Sequence, residues 1–393
     1  MESIDTDVAN QIVVQVVGSI TQVDAAKWDA LASDMPLLSH AFLSALEKSE
    51  SVGAKSGWSP CILIILQQEN LLGAMPLYIK SHSYGEYVFD WAWADAYEQN
   101  GLSYYPKLLS AIPFSPVTSA RLLAKDQQAK LQLIEAVEAI MHKHELSSAH
   151  VLFPDETDAT LFENAGWLKR TGVQFRWQNE SYDSFESFLK TLSHNKRKKI
   201  HQERKKLQDA RIQSRFVRGQ DATVADWDFF YQCYCITYHE HHSTPYLTRA
   251  FFTEIAQSMP ENILLIIAER EGERIASTLN FYNQETLYGR YWGATEFVPS
   301  LHFELCYYQA QHFCISEKIK YFEGGAQGEH KLARGFKPRP TTSFHKIAHP
   351  QFELAIKDFL FRESKGIANY TSELEERAPF KSQLSDKGSI ISK

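Results

Sequence analysis

One pattern occurs twice along this chain, and that repeat limits the fold more than any other feature. Ile62-Leu63-Ile64-Ile65-Leu66 returns as Ile263-Leu264-Leu265-Ile266-Ile267, 201 positions later. Ser103-Tyr104-Tyr105 finds an echo in Cys306-Tyr307-Tyr308, 203 positions later. Ala165-Gly166-Trp167, with Phe175 beyond it, is matched by Arg334-Gly335-Phe336 and Phe344, now only 169 positions later. A repeat of such long period implies two copies of one folding unit. The falling offset assigns the first copy roughly thirty extra residues, between Pro106 and His150. Paired units of this kind commonly place a site in or beside their seam.

The repeat divides the chain into a first unit over 1–180 with an insertion near 106–150, a linker over 181–210, a second unit over 211–350, and a helix and polar tail over 351–393. Hydrophobic periodicity predicts the same element order in both copies. In copy one it predicts a strand over 12–17, helices over 25–32 and 39–48, and an antiparallel meander over 61–67, 72–80 and 87–93. A helix near 104–109, a long helix over 127–144, a strand, a short helix and a last strand over 172–177 complete that copy. Copy two repeats this from Ile212 to Ile347.

The net charge of −7 over 393 residues argues against wholesale coating of nucleic acid. No apolar run is long enough to span a bilayer. The five cysteines fall in apolar strand or helix patterns, which reads as buried reduced thiols and a cytoplasmic setting. His239-Glu240-His241-His242 lacks the convergent spacing of a zinc site, so no metal is expected.

Chemistry concentrates in Phe322-Glu323-Gly324-Gly325-Ala326-Gln327-Gly328-Glu329-His330-Lys331. It follows a strand, carries three glycines and opens a helix. Glycines admit close backbone approach, and a helix start presents free N–H donors. Glu323, Glu329 and His330 are candidates for proton transfer. Gln327, Gly325 and Gly328 could hold an acceptor or an oxyanion. Lys331 and Arg334 suit anionic groups. His302 and Glu304 begin the helix after the fourth strand of copy two, and Asp95 and Tyr97 hold a comparable place in copy one. Between the copies, His194–Lys206 carries seven Lys/Arg residues. Lys198, Lys199, Lys205 and Lys206 form either a solvated helix face or a polyanion contact.

The order β, α, α, β, β, β, α, β, α, β, found twice, is similar to the GNAT fold of the acyl-CoA N-acyltransferases. Two such units joined by a basic helix resemble the Fem-type peptidyl and aminoacyl transferases. Trp93–Tyr97, Tyr104–Leu108, Pro113–Val117, His302–Tyr308 and Glu323–Gly335 resemble the FemAB-like group of predicted N-acyltransferases, described as peptidoglycan biosynthesis/recognition proteins. The resemblance implies an α/β protein of two tandem GNAT-like units with mixed, largely antiparallel sheets joined by a basic helical linker. It implies transfer of an acyl or aminoacyl group to an amine, on a peptidoglycan precursor or other peptide, with Tyr104 and Lys107 on the substrate side. The donor would be an acyl-CoA or an aminoacyl-tRNA. Gly293–His302 and Ala94–Gly101 lack the basic, paired-glycine turn with which acetyltransferases hold pyrophosphate, which weighs against plain acetyl-CoA. A recognition module that binds a peptide, a muropeptide or an acyl-CoA-like ligand without catalysis is the alternative.

Overall fold

A computed structural model describes residues 12–325 and 328–381. The first half runs β1 (Ile12–Val17), α1 (Ala25–Ala32), α2 (His40–Lys48), β2 (Trp58–Pro60), β3 (Ile62–Gln67), β4 (Asn70–Met75), β5 (Tyr78–Lys80), α3 (Trp91–Gln99), β6 (Lys107–Ser110), β7 (Leu123–Ala124), α4 (Gln127–Lys143), β8 (Ser148–Leu152), α5 (Glu156–Asn164) and β9 (Leu168–Gln178). The linker is α6 (Phe185–Thr191) and α7 (His194–Asp209). The second half runs β10 (Ile212–Arg218), α8 (Val224–Glu240), α9 (Arg249–Ser258), β11 (Ile263–Arg270), β12 (Glu273–Tyr282), β13 (Thr286–Ala294), α10 (Leu301–Phe303) with a π-helical continuation over Glu304–Gln309, α11 (Ala310–Ser316), β14 (Tyr321–Glu323), β15 (Lys337–Ile347) and α12 (Pro350–Glu376).

Local chemistry sets many of the boundaries. Asp24, Ser39, Asp126, Asp155 and Thr248 each cap a helix by accepting a backbone N–H. Thr223 and Asp226 close a reciprocal capping box at the start of α8.

The apolar runs that announced the repeat occupy matching places. β3 lies antiparallel between β1 and β4, and β11 lies antiparallel between β10 and β12. Each carries a register shift near its end, at Ile65/Leu66 and at Ala268/Glu269. Farther on, β6 runs parallel to β8 as β13 runs parallel to β14. The halves then interlock. β14 of the second half pairs with β9 of the first, and β15 of the second pairs with both β9 and β8. One eleven-stranded sheet results, in the order β10-β11-β12-β13-β14-β9-β15-β8-β6-β5-β2, beside a four-stranded sheet β1-β3-β4-β7.

Three expectations change. The stretch 72–80 is two strands in different sheets, parted at Pro76-Leu77. The strand expected over 87–93 is a turn followed by α3. Tyr87 takes a positive φ of 63°, and Trp93 and Tyr97 bury one face at helical spacing. The helix expected near 104–109 is strand β6, because Pro106 lacks the N–H a helix interior requires. Tyr104-Tyr105 therefore precedes a strand, whereas Tyr307-Tyr308 lies within a helix, and that echo is not a structural equivalence. The long connections of the first half are 81–106 and 111–122, against 283–285 between β12 and β13.

Candidate active site

β13 and β14 pair only from Thr286↔Tyr321 to Tyr288↔Glu323. Beyond Tyr288, β13 continues to Ala294, while the chain leaves β14 at Gly324-Gly325. The parted strands open a cavity of about 510 Å³. Gly289, Arg290, Tyr291 and Trp292 form its strand wall, and His302, Cys306 and Tyr307 its helix wall. Gly324, Gly325, Gly328, His330 and Lys331 form its loop wall. Tyr234, Thr237 and Tyr238 of α8 close the far side, and Tyr87 and Pro116 arrive from the first half. The cavity therefore lies on the seam.

Two glycines explain the loop. A side chain at Gly324 would put its Cβ 2.8 Å from the Phe336 ring. Gly328 has φ 110°, a conformation L-residues avoid. On β13 the register with β12 shifts so that Asn280 faces Gly289 and Leu279 faces Tyr291. Arg290 is the extra, bulged residue, and a bulge re-aims its side chain. Its Nη2 donates to the Phe114 carbonyl of the first half.

The electrostatics are one-signed. No carboxylate lines the cavity among the described residues. His302 is pushed down to about 4, first by burial and then by the charges of His330, Arg334 and Lys331. His330 is lowered by burial, Arg334 and Lys331. Lys331 falls to about 8, chiefly through burial, with Cys306 and Glu323 opposing and Arg290 adding to the drop. Its Nζ donates to the Gly325 carbonyl at 2.8 Å. The Tyr307 hydroxyl lies 2.8 Å from His330 Nε2. Burial raises the Cys306 thiol well above its ordinary value, which keeps it protonated.

Of the residues proposed from sequence, His302, Gly325, Gly328, His330 and Lys331 meet in this cavity. Glu323 does not line it, and pairs across the strands with Arg176, whose Nε lies 2.6 Å away. Glu329 is exposed and ties the loop to α12 through Arg377 and, at 3.0 Å, Tyr370. Glu304 turns to Arg204 of α7, at 3.2 Å, and to Gln309, at 2.7 Å. Arg334 is buried behind the loop. It holds the His330 carbonyl at 2.7 Å, Glu203 of α7 at 3.3 Å, and the face of Phe303 at 3.4 Å. Gln327 lies outside the described residues. Lys198, Lys199, Lys205 and Lys206 lie on α7 away from Ile200, Glu203 and Leu207, which form its buried side.

The first-half candidates do not join this group. Asp95 is exposed on α3, and Tyr97 packs on Phe352 with ring centroids 4.0 Å apart. Tyr104 donates to Asp90 at 2.6 Å. Lys107 is fully buried among Asp90, Glu86 at 2.8 Å and Ser83 at 2.7 Å. Sequence reasoning missed Arg290, Tyr307 and the stripe Tyr234-Thr237-Tyr238. The stripe was readable as hydroxyl-bearing side chains at i, i+3 and i+4 on one helix face. Nothing in the sequence announced the bulge at Arg290.

Among proteins with curated descriptions, none matches the chain. Among solved structures, it resembles FemX at 11% identity and a TM-score of 0.53, covering 85% of this chain and 98% of that one. It also resembles the C-terminal domain of a protein assigned as a lysylphosphatidylglycerol synthetase from Agrobacterium fabrum, at 9% identity and a TM-score of 0.51, covering 86% of this chain and 96% of that one. A tandem GNAT protein from the clavulanic acid biosynthesis pathway overlaps at 9% identity and a TM-score of 0.46, covering 86% of this chain and 99% of that one. The fold is α/β, with two related halves joined by a basic helical linker, and it is the likeness to FemX and to that C-terminal domain that shows it. The model of the FemAB-like family, described as peptidoglycan biosynthesis/recognition, matches residues 19–382, and the chain belongs to that family.

Proposed function

We propose that the protein is an N-acyltransferase that moves an acyl or aminoacyl group onto an amine, in the cavity between β13 and β14. The observation that carries this reading is the open strand pair itself, lined by His302, His330 and Lys331 and walled by both halves. Amide formation needs a proton acceptor for the attacking amine and a donor for the oxyanion of the tetrahedral intermediate. Burial and the charges of Arg334 and Lys331 disfavour the protonated form of His330, and the Tyr307 hydroxyl lies 2.8 Å away. With the ring proton on Nδ1, Tyr307 donates to Nε2. The amine proton then passes to the Tyr307 oxygen as the tyrosine proton moves to His330. Lys331, seated in the wall, offers its ammonium to the oxyanion. Collapse of the intermediate breaks the donor's thioester C–S or ester C–O bond, the leaving thiolate or alkoxide takes a proton back from His330, and no covalent enzyme intermediate is required.

The family description favours an acceptor of the peptidoglycan precursor or peptide class. The donor is an acyl-CoA or an aminoacyl-tRNA. Its phosphates would meet the lysines of α7, which is fixed to the loop that carries His330 through Glu203 and Arg334.

Assays with acyl-CoAs and charged tRNAs against peptide amines test the proposal. One donor class should turn over, and His330→Ala should slow it about a hundredfold. Changing Lys198, Lys199, Lys205 and Lys206 to Gln should weaken donor binding and flatten its salt dependence. Saturable binding without turnover would instead favour the recognition module.

A further inference from the structure

Arg290 is a cation without a counter-charge in a cavity whose described residues supply none. Its partners, the Phe114 carbonyl and the Tyr291 side chain, are neutral, and its buried Nε–H has no partner among the described residues. The acids around the cavity are engaged elsewhere: Glu323 with Arg176, Glu304 with Arg204, Glu329 with Arg377 and Glu203 with Arg334. A half-buried guanidinium whose Nε–H is buried and without a partner among the described residues gains when an anion joins it. The neighbouring groups report the same field. Lys331 is lowered in part by Arg290, and His302 and His330 by the cations beside them.

We infer that a substrate of this cavity brings a carboxylate that pairs with Arg290, making Arg290 a specificity-determining residue for an acidic ligand. The inference rests on the reading of this cavity as the substrate site, and not on turnover. Arg290 projects from the bulge in strand β13, and its planar guanidinium edge matches a carboxylate; a phosphate, which the same edge can also hold, is the rival occupant in the test. Tyr291, whose ring centroid is 5.2 Å from the guanidinium, and Tyr307 flank the site with hydroxyls.

The test is equilibrium binding to the full chain, read alongside the NMR signals of His302 and His330. The probes are glycylglycine, glycylglycinamide and inorganic pyrophosphate. Wild type should bind the carboxylate at least tenfold more tightly than the amide, since charge-assisted pairs exceed neutral ones by ~1.4 kcal/mol or more. Arg290→Gln should abolish that preference, and Arg290→Lys should retain part of it. Equal affinity of wild type for acid and amide overturns the inference without needing any variant. An unchanged preference in Arg290→Gln, tighter binding of pyrophosphate than of the carboxylate, or no saturable response to any probe also overturns it. Binding without transfer would leave the inference standing and remove the catalytic reading, so the two failures are distinguishable.

Discussion

The two parallel strand pairs β13–β14 and β6–β8 are equivalent in topology and opposite in outcome. Past Tyr288, the second-half pair opens onto a cavity. Past Ser110, the first-half pair is closed by its own chain. Ser119 N–H donates to the Phe153 carbonyl at 3.1 Å, and Asp155 N–H to the Ser119 carbonyl at 3.0 Å, so the segment after β6 pairs with the chain beyond β8 through a single parallel bridge. Arg121 completes the plug. Fully buried, it donates to the carbonyls of Leu152 at 2.9 Å and Val117 at 2.8 Å. Asp158 holds the backbone N–H groups of Arg121 and Leu122 at 2.7 and 2.8 Å. Strand geometry alone does not make a site. The segment beyond each strand end decides whether the gap is filled by protein or left for a ligand. The filled half still contributes, because Tyr87 and Pro116 wall the cavity of the other half and Phe114 holds Arg290.

This contrast can be broken at either end. The largest effect should come from the plug. Arg121→Met leaves the buried carbonyls of Leu152 and Val117 without their donor, and should lower unfolding free energy by about 3 kcal/mol or more. Chemical denaturation would measure it. Lys331→Met, in the open gap, should change stability by only about 1 kcal/mol. If Lys331→Met were the more destabilising, the assignment of plug and cavity would be reversed. Next comes turnover: His330→Ala should lose about a hundredfold while unfolding at the wild-type midpoint.

The third effect is a pH dependence. His150 and His345 face each other across β8 and β15, with Nδ1 atoms 2.7 Å apart. Burial first, then the charge of Lys107, holds His150 down to about 3. Burial and then His150 hold His345 well below its ordinary value. Both are neutral in the folded protein and take protons on unfolding. Their contribution is complete above about pH 6.5, the unfolded value, and is lost progressively as pH falls toward the folded value. The slope should reach ~1.4 kcal/mol per pH unit per histidine. Unfolding free energy independent of pH between about 4 and 7 would contradict this. The smallest effect should be that of Glu329→Gln. Its exposed pairing with Arg377 and Tyr370 predicts turnover within about twofold of wild type. A hundredfold loss there would return Glu329 to the proton-transfer role.

Much of this contrast is legible in the residues alone. The runs Ile62–Leu66 and Ile263–Ile267 mark matching strands, because a strand buried on both faces must be apolar throughout. The Gly-rich stretch after Phe322 points to the loop wall, because only glycine tolerates such close approach. Local pattern fails where tertiary context decides. Trp91 and Trp93 alternate like a strand yet belong to a helix whose Trp93 and Tyr97 pack inward. Glu323 and Glu329 look like acids at a strand end, but partners distant in sequence, Arg176 and Arg377, neutralise them. The exchange of β9 and β15 between halves depends on pairings across the whole chain, which no local window contains.

The most direct test uses four histidines, two lining the open pair and two buried where β8 meets β15. With side-chain-labelled protein, addition of the acyl donor and peptide amine should shift the ring signals of His302 and His330 and leave those of His150 and His345 in place. That result would locate ligand in the open strand pair of the second half. Movement of His150 and His345, with His302 and His330 unchanged, would contradict the account.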